Sequence, residues 1–150
     1  MIHVGFTGTR AGMTNAQWRE VLGWLGDMKP GVLHHGDCQG ADSQAHDLAR
    51  ELGWRIVIHP PADARLRAFC DGDESRWPKP YLDRDRDIVN ETSVMIAAPA
   101  TAVRVDGTRS GTWYTVGYAQ RRGNPVRIAL PAVGEYARTL GSLTITEVTG

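Results

Sequence analysis

Apolar positions follow two alternating rhythms along this chain: short continuous runs, and stretches with helical spacing. Ile2 to Phe6 is a short apolar run that ends among glycines, and it predicts a buried parallel strand. Thr14-Asn15-Ala16-Gln17 has capping-box spacing, with Thr14 as the cap and Gln17 reaching back. Trp18, Val21, Leu22 and Leu25 then recur at helical spacing until Pro30-Gly31 stops the helix. Val32 to His35 predicts a second strand. Ala41, Ala45, Leu48, Ala49 and Leu52 form the apolar face of a second helix, closed by Gly53. Trp54 to His59 is a β-branched run ended by Pro60-Pro61, a third strand. Residues 62–80 read as a long loop, where Asp71-Gly72-Asp73 and Trp77-Pro78-Lys79-Pro80 break any period. Tyr81 to Glu91 predicts a third helix, Ser93 to Ala98 a strand, and 100–110 a loop. Thr112 to Arg122 predicts a helix ended by Gly123, and Pro125 to Leu130 a fifth strand. Leu143 to Val148 predicts an extra edge strand.

Strands that alternate with helices imply right-handed crossovers and a parallel sheet. The expected architecture is one α/β domain over 1–150, Rossmann-like and doubly wound, with strand order 3-2-1-4-5. The sheet order then reverses between the first and fourth predicted strands, and a crevice opens there at the strands' carboxyl ends. Loops punctuated by glycine sit at the places that would line it: Gly5-Phe6-Thr7-Gly8-Thr9-Arg10-Ala11-Gly12 and Gly107-Thr108-Arg109-Ser110-Gly111-Thr112. Glycines let backbone N–H groups approach a phosphate, and a following helix N-terminus favours negative charge. The pattern therefore points to a phosphorylated small molecule, a nucleotide by preference.

Composition narrows this only a little. Hydrophobic content of 41% and charged content of 23% are ordinary for a globular protein. Seventeen Lys+Arg balance seventeen Asp+Glu, which argues against a general nucleic-acid surface. Cys38 and Cys70 give no disulfide framework and fit a reducing cytoplasm. No apolar stretch reaches the roughly 18–20 residues a membrane span needs, and no basic leader precedes Ile2. The expected setting is the cytoplasm, with no membrane partner.

The candidate chemistry lies in the loops. The first loop matches neither Gly-x-Gly-x-x-Gly nor a P-loop, so P-loop ATP hydrolysis is disfavoured. Thr7, Gly8, Thr9 and Arg10 instead offer hydroxyls, a bare backbone and a charged fork at a strand end. Gly36-Asp37-Cys38-Gln39-Gly40-Ala41-Asp42 puts two carboxylates at the start of a helix. Asp37 and Asp42 either complement that helix terminus or face the crevice as a ribose acceptor or general base. Arg84 stands three residues after Tyr81 and four before Ile88, beside the apolar stripe, and needs an anionic partner from protein or ligand. The alternation around it, Asp83-Arg84-Asp85-Arg86-Asp87, otherwise reads as a solvated face. His34 and His35 point to opposite faces of their strand, one entering the core and bonding a carbonyl. With no CxxC or HExxH, they call for no metal, and the sequence calls for no cofactor. Trp113 is read as core, with stacking on a base as its alternative.

Together Gly5-Phe6-Thr7-Gly8-Thr9-Arg10, His35-Gly36-Asp37-Cys38-Gln39-Gly40-Ala41-Asp42, Arg84-Asp85-Arg86-Asp87-Ile88-Val89 and Ile96-Ala97-Ala98-Pro99 before Ser110-Gly111-Thr112 resemble the SLOG superfamily. That is the Rossmann-like fold of the LOG phosphoribohydrolases and of DNA-processing protein A. The style is that of its small YspA-like bacterial and phage members, over about residues 2–131. The LOG hydrolases carry Pro-Gly-Gly-x-Gly-Thr-x-x-Glu. Gly111-Thr112 match its Gly-Thr, Arg84 falls at the family's upstream arginine, and Thr115 stands where the glutamate would be. The resemblance implies a nucleotide phosphate on Gly8, Thr9, Gly111 and Thr112, with Arg84 and Arg10 assisting. It implies N-glycosidic cleavage of a nucleoside 5′-monophosphate, with another carboxylate, Asp37, Asp42 or Asp106, in place of the glutamate. The alternatives are a non-catalytic sensor or sponge of an ADP-ribose-like or cyclic nucleotide and, behind it, DNA handling. LOG-type proteins also imply a homodimer or higher oligomer.

Overall fold

The computed structural model describes residues 1–104 and 110–131. Six parallel strands form one open sheet in the order β4-β3-β2-β1-β5-β6. They are β1 (His3–Gly8), β2 (Val32–His35), β3 (Arg55–Ile58), β4 (Glu74–Ser75), β5 (Val94–Ala98) and β6 (Val126–Ile128). The helices are α1 (Asn15–Asp27), α2 (Ala41–Glu51), α3 (Tyr81–Asn90) and α4 (Gly111–Arg121), with a short 3₁₀ turn at Ala64–Leu66. The five longer strands have the expected order 3-2-1-4-5. β4 is an addition inside the 62–80 loop, pairing Glu74 and Ser75 with Val57 and Ile58 at the sheet edge. The expected strand at 143–148 lies outside the described residues, as does Asp106. Among the described residues no helix is long and apolar enough to cross a membrane.

Alternation along each strand sends side chains to two separate cores. On one face Val4, Phe6, Leu33, Ile56, Ile58, Ile96 and Ala98 pack under α1 and α2. On the other, Met95, Ala97, Val126 and Ile128 pack under Ile88 and Val89 of α3 and Val116 and Ala119 of α4. Fully burying a side chain such as Phe6 or Ile96 contributes about 1.5–3 kcal/mol. β1 pairs with β2 on one side and β5 on the other, so the winding direction changes between β1 and β5.

Two details fix the approach of helices to that point. The α1 capping box forms as the sequence predicts: Gln17 N–H donates to Thr14 Oγ1 at 3.2 Å, and Thr14 N–H to Gln17 Oε1 at 2.9 Å. Gln17 Nε2 also donates to the carbonyls of Pro99 at 2.7 Å and Ala129 at 2.9 Å, joining α1 to the chain leaving β5 and β6. Gly40, at φ +87°, turns the chain into α2, and a Cβ there would strike the backbone of Arg10. The N-cap of α2 is this glycine, with no side-chain cap, so neither Asp37 nor Asp42 caps the helix.

His34 and His35 do face opposite sides of β2, but both are buried and neither bonds a carbonyl. His34 Nε2 and Nδ1 meet His3 Nδ1 and His59 Nε2, each at 2.9 Å, on the α3 side. His35 Nε2 meets His46 Nδ1 at 3.0 Å on the α2 side, and its Nδ1 accepts the Asp37 N–H at 2.9 Å. Imidazole partners supplied by neighbouring elements replace the expected carbonyl.

Candidate functional site

At the carboxyl ends of β1, β2, β3 and β5 the loops enclose a cleft of about 840 Å³. Thr7 to Arg10 form one wall, Gly36, Cys38 and Asp42 the floor, and Pro61 to Asp63 with Leu66 a second wall. Tyr81, Arg84 and Asp85 enter from α3, and Ser110, Gly111 and Thr112 from the start of α4. The cleft sits at the reversal of strand order, where open α/β sheets bind ligands.

The turn after β1 is tight because the Thr9 carbonyl receives the N–H groups of Gly12 at 3.2 Å and Ala41 at 2.9 Å. A Cβ on Gly8 would lie 2.5 Å from that of Ala41, so only glycine lets β1 end this close to α2. Across the cleft, Ser110 Oγ caps α4 by accepting the Trp113 N–H at 3.2 Å. The N–H groups of Gly111 and Thr112 precede any helical carbonyl they could reach, as at every helix start. They are a ready anion cradle.

Arg84 is almost wholly buried beneath this cradle. Its Nη1 donates to the carbonyls of Gly36 and, at 3.2 Å, His59. Its Nη2 donates to Cys38 Sγ at 3.4 Å, and its Nε lies 2.7 Å from Asp85 Oδ1. The anionic partner that Arg84 requires is thus its own neighbour. Asp42 is buried in the first turn of α2, where its Oδ2 accepts the Cys38 N–H at 3.2 Å. Burial raises the Asp42 carboxyl to about 7, against the opposing pull of Arg84. Burial raises Asp85 to about 6, held lower by the Arg84 charge. Burial, with the Asp42 carboxylate behind it, also raises the Cys38 thiol.

Of the residues singled out in the sequence, Thr7, Gly8, Thr9, Arg10, Gly36, Asp42, Arg84, Gly111 and Thr112 meet in this cleft. Asp37 and Thr115 are not among its lining residues. Asp37, at φ +54°, is fully buried and is bound by Arg67 Nε at 2.7 Å and the Cys70 N–H at 2.8 Å. It anchors the 67–70 segment. Thr115 donates its hydroxyl to the Gly111 carbonyl at 2.7 Å. Trp113 is half-buried against the α3–α4 core, and its indole N–H donates to Thr101 Oγ1 at 3.1 Å. Cys38, Tyr81 and Asp85 are additions from the structure. The one signal for Asp85 is its spacing, three and four residues before Ile88 and Val89, and the alternating charges around it mask that signal.

Two groups elsewhere carry metal-type ligand atoms, His35 with His46 and Cys70, and His34 with His59 and Glu91. In both, imidazole nitrogens already bond each other, and Glu91 is held by Arg76 at 2.7 Å. Neither group lines the cleft.

No protein-family model and no curated protein matches the sequence. Solved structures do match in fold. A molybdenum cofactor binding protein from Rippkaea orientalis superposes with a TM-score of 0.68 at 16% identity, over 99% of this chain and 86% of that one. The molybdenum cofactor carrier protein of Chlamydomonas reinhardtii gives 0.60 at 16% identity, over 95% and 96%. DNA processing protein A from Streptococcus pneumoniae gives 0.66 at 20% identity, over 98% of this chain but only 56% of its own. At these identities the likeness is one of fold. It is the Rossmann-like α/β fold that the sequence predicts.

Proposed function

We propose that the chain binds a nucleoside 5′-monophosphate in this cleft and hydrolyses its N-glycosidic bond, releasing the base and a (deoxy)ribose 5-phosphate. One observation carries the reading: an anion cradle and a buried carboxyl group, that of Asp42, share a single cleft. The phosphate would rest against Gly8, on the hydroxyl of Thr9, whose backbone N–H is given to the Ala98 carbonyl, and on the N–H groups of Gly111 and Thr112. Arg10 and the Arg84 N–H left over from its internal bonds would add charge-assisted hydrogen bonds. Asp42 would face the sugar or the attacking water. Asp37, held by Arg67, is set aside from this role.

A second reading, binding without cleavage, is favoured by Thr115, which cannot offset positive charge as a carboxylate does. Some structural neighbours are also named for binding or carrying a cofactor. DNA handling has support from the DNA processing protein A fold alone, against a balanced charge.

The test is incubation with a panel of ribo- and deoxyribonucleoside 5′-monophosphates, NAD and ADP-ribose, read by chromatography and thermal shift. Free base from a monophosphate, released far more slowly by Asp42→Asn, supports the hydrolase. Stabilisation with every nucleotide intact supports the sensor or sponge. Single-stranded DNA binding with a steep salt dependence, and no effect of mononucleotides, supports the third reading.

A further inference from the structure

The cleft buries two carboxylates around one guanidinium, and the two are not in equivalent surroundings. Asp85 closes on Arg84, with Oδ1 2.7 Å from Nε. Its other oxygen lies against the start of α4, 3.8 Å from where a Cβ on Gly111 would sit. The Thr115 hydroxyl, which donates to the Gly111 carbonyl at 2.7 Å, also favours the ionised form of this carboxyl. Asp85 is therefore held beside the cradle by its ion pair with Arg84. Asp42 forms no ion pair among the described residues and receives the Cys38 N–H at 3.2 Å. It reaches the same space from α2, where its Oδ2 and the Arg84 guanidinium both crowd the α-carbon of Gly36 without an ion pair between them.

Resting on the hydrolase reading, we propose that Asp85 and Asp42 divide the labour of glycosidic cleavage, Asp85 as the fixed anion facing the sugar and Asp42 as the proton donor to the base. Different surroundings for two carboxyl groups assign such roles. Burial raises both; Asp85 has Arg84 in direct contact, while Asp42 feels the same guanidinium without an ion pair and is raised further. In the reaction the C1′–N bond breaks and its electron pair leaves with the base. The Asp42 proton passes to that nitrogen. Asp85 stays ionised and opposes the positive charge on C1′ and the ring oxygen. Water adds its oxygen to C1′ and returns a proton to Asp42, so the enzyme ends as it began.

The purely structural alternative is that Asp85 only holds Arg84 in place and Asp42 only ties down the 36–42 turn. Asp85→Asn separates the two. With the monophosphate that the wild type hydrolyses, kcat should fall by about 100-fold or more, the range for losing one electrostatic stabiliser. The Kd for the same nucleotide, by calorimetry, should change by less than about threefold. Asp85→Glu should recover part of kcat at the melting temperature of Asp85→Asn, which excludes misfolding as the cause. Asp42→Asn should remove the fall in kcat that the wild type shows as pH rises through about 7. Asp85→Asn with kcat kept, or with affinity lost as steeply as kcat, overturns the assignment while leaving the hydrolase reading standing. An Asp42→Asn variant that keeps the wild-type alkaline limb overturns the donor role. A wild type that binds every nucleotide and cleaves none overturns both readings together.

Discussion

Arg84 shows how much one side chain can hold. A guanidinium has five N–H groups in a rigid fork. The carbonyls of Gly36, His59 and Tyr81 and the Cys38 sulfur take four of them, with Asp85 ion-paired at Nε, so the arginine ties the ends of β2 and β3 to α3 and still has one to offer. Its role as a structural fastener and its proposed role as a ligand contact are separable. Arg84→Ala should weaken nucleotide binding by more than about 1.5 kcal/mol, the value of a charged hydrogen bond. It should also lower the unfolding free energy by about 3 kcal/mol, because Asp85 is left buried beside no cation. Adding Asp85→Asn to that variant should restore much of the stability, by urea unfolding, and none of the affinity. If the double variant is no more stable than the single one, Arg84 acts on the fold through the Gly36 and His59 carbonyls instead. Unchanged affinity in Arg84→Ala would remove the arginine from the ligand site.

Elements meet at this site through a few polar stitches, and α1 carries the clearest. Gln17 is almost fully buried yet satisfies three backbone groups: the Thr14 N–H and the Pro99 and Ala129 carbonyls. Gln17→Ala leaves those groups without it, at about 1–3 kcal/mol for each buried group left bare. A loss near 3 kcal/mol should lower the melting midpoint by roughly 6–12 °C for a chain of this size. A midpoint within a degree of the wild type would mean that water replaces the amide. The capping half of this role is plain in Thr14-Asn15-Ala16-Gln17, because it depends on local spacing. The stitch to Pro99 and Ala129 is not, because it joins positions far apart in sequence. The same division explains the rest. Strands buried on both faces announce themselves as apolar runs, so β1, β2, β3, β5 and β6 and their order were legible. β4 was not, since Glu74 and Ser75 are exposed edge residues with no apolar period. Glycine turns marked the cleft, but where a carboxylate aims was hidden: Asp37 turns away to Arg67, and Asp85 lay inside a run that reads as solvated charge. The histidines were misread for the same reason, their partners coming from other strands and helices.

Over the whole molecule, buried histidines and buried carboxylates pull stability in opposite directions with pH. Burial lowers His34, His35 and His59 to about 4, 3 and 4 from an ordinary 6.5. Their neutral forms favour the fold fully above pH 6.5, and that contribution is lost as pH falls through 4, because the unfolded chain binds protons first. Asp42 and Asp85 behave inversely, raised to about 7 and 6 from an ordinary 3.8. Their contribution is complete below 3.8 and is lost as pH rises through those values. Between pH 6.5 and 4 three histidines oppose two carboxylates, and the histidines are displaced further in total. Acidification through that window should therefore destabilise the protein, less steeply than the histidines alone would dictate. Asp42→Asn isolates the carboxylate side. Its unfolding free energy, relative to the wild type, should be higher at pH 8 than at pH 4, since only at pH 8 does the native protein hold a buried charge there. A site that holds such a charge without an ion pair trades stability for a titratable group in its ligand cleft. Equal differences at pH 4 and pH 8 would show that Asp42 titrates as an ordinary solvated carboxylate, and would take from the cleft the proton donor on which the proposed hydrolysis depends.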